Sequence, residues 1–252
     1  MAKSPAYQPR LYREAMGNSR WVSFRSAYRE TDLWVAIDRD HYLKNTERYT
    51  MDRILFYRTI LEDHIALHPE FRDSLTPVLA PGGVYPLITA MSEASLAATT
   101  GPMSAVAGAM AEFICRDLLE EFSAGEVIIE NGGDIFMKLT APVTTSVYAG
   151  SSPLSEKIAL HIMPAETPLA LCCSSGTVGH SLSFGMADAC MIACRSGALA
   201  DAYATAFCNE IKNAETVNEV TERALRIPEI QSVVIIAGEK VGLGGTIEVK
   251  FV

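Results

Sequence analysis

Asp201 and Thr205 are four residues apart in the run from Gly197 to Cys208, and Asp201 is the only charged residue between Arg195 and Glu210. On a helix this spacing lays the carboxylate and the hydroxyl over the same face. A helix that is apolar nearly all round is buried on all sides. A buried carboxylate then needs a cation or several hydrogen-bond donors, because losing its hydration is costly. Two hard oxygens on a rigid element suit a hard metal ion. The same residues have a second reading. Leu199, Tyr203, Phe207 and Ile211 form a core stripe, and Asp201, Thr205 and Asn209 fall roughly opposite, where they would be a solvated face. Burial of Asp201 separates the two.

Five other stretches carry chemistry-bearing groups. Asn131-Gly132-Gly133-Asp134 lies between the apolar runs Val127–Ile129 and Ile135–Met137. Asn-Gly there signals a hairpin, and the glycines also let backbone approach a ligand without a side-chain clash. Ser175, Gly176, Thr177 and His180 sit in a loop dense in hydroxyls and backbone N–H groups. Such a loop forms a nest for phosphate oxygens or is simply a flexible connection, and His180 offers a general base. A helix opens at Gly101-Pro102 with Thr99 or Thr100 as cap, and its first half, from Met103 and Ser104 onward, is made of small residues. Its open N–H groups attract anions, or the small residues serve close helix packing. Cys172 and Cys173 precede the Ser/Gly loop. A thiolate there would be nucleophilic and could handle sulfur, whereas buried strand thiols are inert. His64 and His68, at the end of another helix, read as a metal pair or as a helix C-terminal cap, the cap being favoured by the dipole.

The elements that must position these groups are those of a globular chain. It has 252 residues, 49% hydrophobic and 20% charged, with a formal net charge of -9. No long Lys/Arg run is present, so nucleic acid is not an expected partner. No apolar h-region begins the chain and no run is long enough to span a membrane, so a cytoplasmic protein is expected. Six cysteines without a Cys-x-x-Cys pair read as reduced thiols.

Residues 1–20 read as a loosely held arm, followed by strands at Trp21–Phe24 and Asp32–Ile37 and a helix at Met51–Leu67 that Pro69 ends. Residues 69–101 read as loops with a short helix at Leu87–Ala94, before the helix from Pro102 to about Phe122. Val143–Ala149, Lys157–Ile162 and Leu169–Cys173 suit an antiparallel meander, and Met186–Cys194 a strand with Cys190 and Cys194 on one face. A polar helix at Ala214–Leu225 and a closing hairpin of Ser232–Ala237 with Thr246–Phe251 complete an α+β chain of mainly antiparallel sheets packed against helices.

Asn131 to Ile135, then Ser175-Gly176 with His180, then Ala200 to Ala206 occur in an order that resembles the ApbE-like superfamily of FAD:protein FMN transferases, and more closely its UPF0280 branch. The resemblance covers about residues 100–210, and the Ala-Asp-Ala-x-Ala-Thr-Ala run is its most specific part. It implies one ApbE-like, T-fold-related domain over residues 1–252, with a flavin dinucleotide pocket between two lobes. It implies FAD and Mg2+ as cofactors, with transfer of FMN to a threonine of a protein acceptor, or hydrolysis of FAD to FMN and AMP. Asp201 and Thr205 match the family's metal-holding pair, and the run from Met103 to Gly108 matches a stretch that adds Val106 to the metal and Met103 and Ser104 to the cofactor. Gly132, Gly133, Asp134 and His180 match its other site positions, with Asp201 and His180 as the catalytic pair. The chain departs from the family at Ala107, where Lys is usual, at Gly101, where an acid is usual, and at Ser183, where Asp is usual. These departures favour a flavin- or nucleotide-binding protein without transfer chemistry as the alternative.

Overall fold

The computed structural model describes residues 19–177 and 184–252. Its centre is an antiparallel sheet whose inner strands are buried on both faces and read as mostly continuous apolar sequence, while the two edge strands are partly exposed. In chain order they are β1 (Trp21–Tyr28), β2 (Thr31–Asp38), β3 (Val127–Asn131), β4 (Asp134–Lys138), then β5 (Val143–Ser146) and β6 (Ile158–Ile162) in a second sheet, β7 (Leu169–Ser174), β8 (Ala189–Cys194), β9 (Ile230–Ala237), β10 (Lys240–Gly245) and β11 (Glu248–Phe251). The large sheet has the order β1-β2-β3-β4-β7-β8-β9-β10, and the small one β11-β6-β5.

Strand parity sorts the core into two halves. Leu33, Val35, Ile37, Ile129, Phe136, Cys172, Cys190, Ile192 and Cys194 face one layer, while Trp34, Ala36, Ile128, Met137, Leu171, Met191 and Ala193 face the other. The first layer is helical: α1 (Thr46–Leu67), α2 (Glu70–Asp73), α3 (Pro86–Ala98), α4 (Val106–Glu121), α5 (Gly197–Glu210) and α6 (Val217–Ala224). The second is the small sheet, through Ile158, Leu160 and Ile162. The fold is therefore α+β, with helices, large sheet and small sheet in three layers.

Several expectations are corrected. Arg20, placed in the loose arm, is fastened: its Nε pairs with Glu126 at 2.7 Å and its Nη2 donates to the Ala141 carbonyl at 3.2 Å. The remaining arm residues 1–18 lie outside the described residues. The stretch 69–101 holds a full helix, α3, because Pro86 opens it, Leu87, Ile88, Met91 and Ser95 are buried, and Thr99 closes it at φ 58°. Thr99 therefore caps the preceding helix rather than the next. Thr100 Oγ1 lies 2.7 Å from Ser104 Oγ, and a 3-10 turn, Pro102–Ala105, leads into α4. The expected meander splits: β5 and β6 pair in the small sheet, while β7 lies between β4 and β8.

The closing hairpin also differs. β9 pairs with Lys240–Gly245, taken from sequence for a turn, and Glu248–Phe251 joins β6 instead. Glycine is the reason the turn-like run forms a strand. A Cβ at Gly242 would stand 2.1 Å from Thr221 Oγ1, and one at Gly244 2.6 Å from Leu225 Cδ1, so bare backbone lets α6 and the turn after it lie on this edge.

Candidate functional site

Asp201 lies on the buried face of α5 and is only 7% exposed. The solvated-face reading therefore fails for this residue, although Thr205 and Asn209 are half-buried. Small residues bring α4 against α5: a Cβ on Gly108 would stand 2.2 Å from the Gly197 carbonyl oxygen, and one on Gly197 would stand 2.2 Å from that of Gly108. At this crossing the Gly108 N–H donates to Asp201 Oδ2 at 2.9 Å. The N-terminus of α5 is held by Glu112 of α4, whose Oε2 accepts from Gly197 N at 2.6 Å and from Ser196 Oγ at 3.3 Å.

The glycine hairpin approaches from the sheet. Gly132 and Gly133 have φ of 73° and 106°, which supplies the two-residue turn between the paired Asn131 and Asp134. Glu130, fully buried, accepts from Gly133 N at 2.7 Å and pins that turn. Asn131 and Asp134 both point to the helical layer. Asn131 Nδ2 donates to the Ala107 carbonyl at 3.1 Å, and Asp134 Oδ1 accepts from Cys173 N at 3.1 Å.

Burial first, and then the Asp134 carboxylate, push the Asp201 pKa well above the usual carboxylate range, against the pull of the Gly108 and Ala107 backbone donors. Among the described residues no cationic side chain pairs with Asp201. Two buried acids thus face each other from α5 and from the start of β4, an arrangement that a positive charge would relieve. Thr205 Oγ1 lies 3.1 Å from Ser174 Oγ, which ties the hydroxyl one turn beyond Asp201 to the end of β7. Asp201 and Thr205 are hard oxygen donors of the kind that fit a divalent ion. Val106 opens α4 and is limited to a backbone carbonyl. Among the described residues no three His, Cys, Asp or Glu side chains gather as a metal centre.

Met103 and Ser104 stand on the 3-10 turn before α4, where Ser104 Oγ donates to the Gly101 carbonyl at 2.8 Å. The described part of the Ser/Gly loop is anchored at its base. Gly176 N donates to the Ala187 carbonyl at 2.9 Å, Thr177 N donates to Ser175 Oγ at 3.1 Å, and Thr177 Oγ1 donates to Asp188 Oδ1 at 2.8 Å. Gly176 is required there because a Cβ would stand 1.8 Å from the Gly185 carbonyl oxygen. His180 and Ser183 lie outside the described residues.

The thiols do not fit a nucleophile. Burial, with Asp134 next, pushes Cys172 well above its usual range and Cys173 up to about 12. None of the six cysteines is in a disulfide. The pair His64 and His68 ends α1, where the His68 N–H caps the His64 carbonyl at 2.9 Å, as the cap reading expects.

Sequence reasoning missed Glu112, Glu130, Ser174 and Asp188. Glu112 carried the same signal as Asp201: it is the first charge after a run of eighteen uncharged residues from Ala94 to Ala111. The others are ordinary polar residues whose role exists only once strands are paired.

Comparison with known proteins agrees with this architecture. A family model described as AbpE bacteria matches residues 13–228. The UPF0280 protein of Methanococcus aeolicus is 37% identical over 225 residues, covering 86% of this chain and 88% of that protein. That of Methanocaldococcus jannaschii is 34% identical over 232 residues, covering 90% and 92%. Among solved structures, the ApbE protein of Thermotoga maritima superposes with a TM-score of 0.52 at 13% identity over 90% of this chain and 96% of that one, a likeness of fold. The chain belongs to the UPF0280 family of ApbE-like proteins.

Proposed function

We propose that this protein binds FAD together with Mg2+ at the crossing of α4 and α5 and cleaves the dinucleotide, passing FMN to a protein threonine or to water and releasing AMP. One observation carries the reading: Asp201 is buried, held by the Gly108 N–H and repelled by Asp134, and among the described residues no cationic side chain pairs with it. Family membership and the ApbE-like fold support it. Asp201 and Thr205 hold the ion, with the Val106 carbonyl as a third oxygen. When bound, the ion neutralises charge on the diphosphate. The chain does the rest. The turn Asn131–Asp134 and the backbone of Ser175, Gly176 and Thr177 line the nucleotide. The Met103 N–H, beside Ser104, orients phosphate oxygens. His180 takes the proton of the incoming hydroxyl or water.

A second reading, retention of flavin without cleavage, is favoured by one specific feature. Ala107, where ApbE-like proteins usually carry Lys, brings no cation, and its carbonyl is already bonded to Asn131. Incubation with FAD and Mg2+ separates the two. AMP release supports cleavage. Stoichiometric flavin absorbance without AMP supports the binder. Neither flavin retention nor AMP overturns both.

A further inference from the structure

α1 and the chain entering α3 border a cavity of about 480 Å3, open to solvent on one side, that none of the residues assigned to the flavin reading lines. That size is in the range of small-molecule sites. Its apolar wall includes Phe56 and Tyr85, whose rings stand perpendicular at 6.2 Å and are 41% and 57% exposed. Its polar edge is one stripe of α1, with Thr59, Asp63 and His64. His64 is only 9% exposed and stands edge-on to Phe71, yet its ring nitrogens hydrogen-bond to no described residue. Solvent still reaches those nitrogens, so an N–H of a ligand in the cavity can reach them too. Asp63 is exposed and forms no ion pair among the described residues, and no Lys or Arg lines the cavity.

We propose that this cavity binds a small aromatic amine, its ammonium N–H groups donating to Asp63 and His64 and its ring lying against Phe56 and Tyr85. The polarity follows from the lining. The only formal charge is negative, so carboxylates and phosphates, flavin nucleotides included, are repelled. Burial, and then His68, lower the His64 pKa, which leaves a neutral imidazole with a free acceptor nitrogen. The Tyr85 ring adds cation–π attraction, whereas the Phe56 ring already carries the Arg53 guanidinium 4.1 Å from its centroid and offers apolar contact. The inference is independent of the flavin reading, because it shares no residue with it.

The test is titration of the full chain with 2-phenylethylamine, followed by calorimetry and by chemical-shift changes confined to α1 and residues 83–88. Binding with a dissociation constant of about 1 mM is expected for so small a ligand. 3-Phenylpropionate, with the same ring and the opposite charge, does not bind. Asp63→Asn weakens the amine at least about tenfold, the loss of one charge-assisted contact. Tyr85→Ala, at an exposed position that leaves the core intact, also weakens it. Absence of amine binding at about 10 mM, equal binding of 3-phenylpropionate, or an unchanged affinity in Asp63→Asn overturns the proposal. So does concentration-dependent dimerisation that Tyr85→Ala abolishes without any amine binding, which would make the wall an interface between copies.

Discussion

Gly108 and Gly197 touch backbone to backbone, each leaving no room for a Cβ before the other's carbonyl oxygen at 2.2 Å. Two helices that meet in this way share one rigid position, and Asp201, one turn along α5, is bonded to the amide of the same Gly108. Gly108→Ala therefore acts on packing and on the site together. Alanine improves helix propensity by about 1 kcal/mol, but the obstacle is backbone, which cannot rotate away. Overpacking of this kind costs about 1–3 kcal/mol. A lower urea midpoint together with weaker Mg2+-dependent flavin retention is expected. A variant as stable as the parent would show that the helices can separate freely.

Asp201→Asn makes the opposite prediction for stability. The folded-state pKa of Asp201 is raised by burial and by Asp134. A raised carboxylate pKa means that the native state holds the proton more tightly than the unfolded chain. Its stability is thus full below the unfolded pKa and declines as pH climbs from there toward the folded value. At neutral pH without metal, the neutral amide removes this burden, and the melting temperature rises by a few degrees. Mg2+ should stabilise the parent and leave Asp201→Asn unmoved. Equal stabilisation of both by Mg2+ would remove Asp201 from the metal site.

Much of this was legible in the sequence, and the limits are physical. An isolated acid among alanines marked Asp201 as a candidate, but spacing left a buried and a solvated reading open until the packing of α4 on α5 decided for burial, whereas Asn-Gly-Gly-Asp gave the β3–β4 turn through glycine's access to positive φ. Long-range pairing was not legible. Gly242 and Gly244 read as turn residues, because nothing local says that Thr221 and Leu225 press on them from α6 and the turn that follows. Strand partners likewise depend on which sheet offers a matching apolar face, so β5 and β6 could not be separated from β7 by spacing. Met103, Ser104 and the Ser/Gly loop stand near elements of the site, but loops report their ligands only through contacts that spacing does not encode.

The cysteines give a prediction in the negative. With Cys173 pushed up to about 12 by burial and by Asp134, and Cys172 raised well above its usual range by the same causes, both remain thiols at neutral pH. Since the thiolate is the reactive form, the folded protein should resist iodoacetamide at pH 8, and Cys173→Ser should keep full flavin retention and any AMP release. Rapid alkylation of the native protein, with loss of activity, would revive sulfur chemistry.

Glu112 tests how α5 is held. Its carboxylate accepts the Gly197 amide and the Ser196 hydroxyl, so Glu112→Ala leaves a buried helix N-terminus without an acceptor. Loss of such a partner costs about 1–3 kcal/mol. Since Asp201 follows Gly197 by one turn, flavin affinity should fall with stability. Glu112→Gln, which keeps an acceptor oxygen, should recover part of both. If Glu112→Ala unfolds no more easily than the parent, the bond across the two helices is not what orients Asp201.

Glu126 sets the acid limit of the fold, away from the site. It is 2% exposed. Its Oε1 accepts from Thr140 N at 2.6 Å, Thr140 Oγ1 at 2.8 Å and Ala141 N at 3.0 Å. Its Oε2 accepts from Trp21 Nε1 at 2.8 Å and pairs with Arg20 Nε at 2.7 Å. Burial alone would raise its pKa, but the Thr140 donors, the Trp21 indole and the Ala141 amide outweigh burial and lower it. A lowered folded-state pKa gives stability that is complete above the unfolded carboxylate range and is lost as pH falls through the folded value. The Glu126 contribution to the urea midpoint, read as the difference between parent and Glu126→Gln, should therefore hold steady from neutral pH down to the ordinary carboxylate range and then drop. Glu126→Gln, which puts an amide N–H against donors, should cost about 3 kcal/mol at neutral pH and have a flatter acid limb than the parent. An acid limb of unchanged depth in Glu126→Gln would assign the loss of stability to other carboxylates and leave this anchor of β1 to β3 without the electrostatic role argued for it.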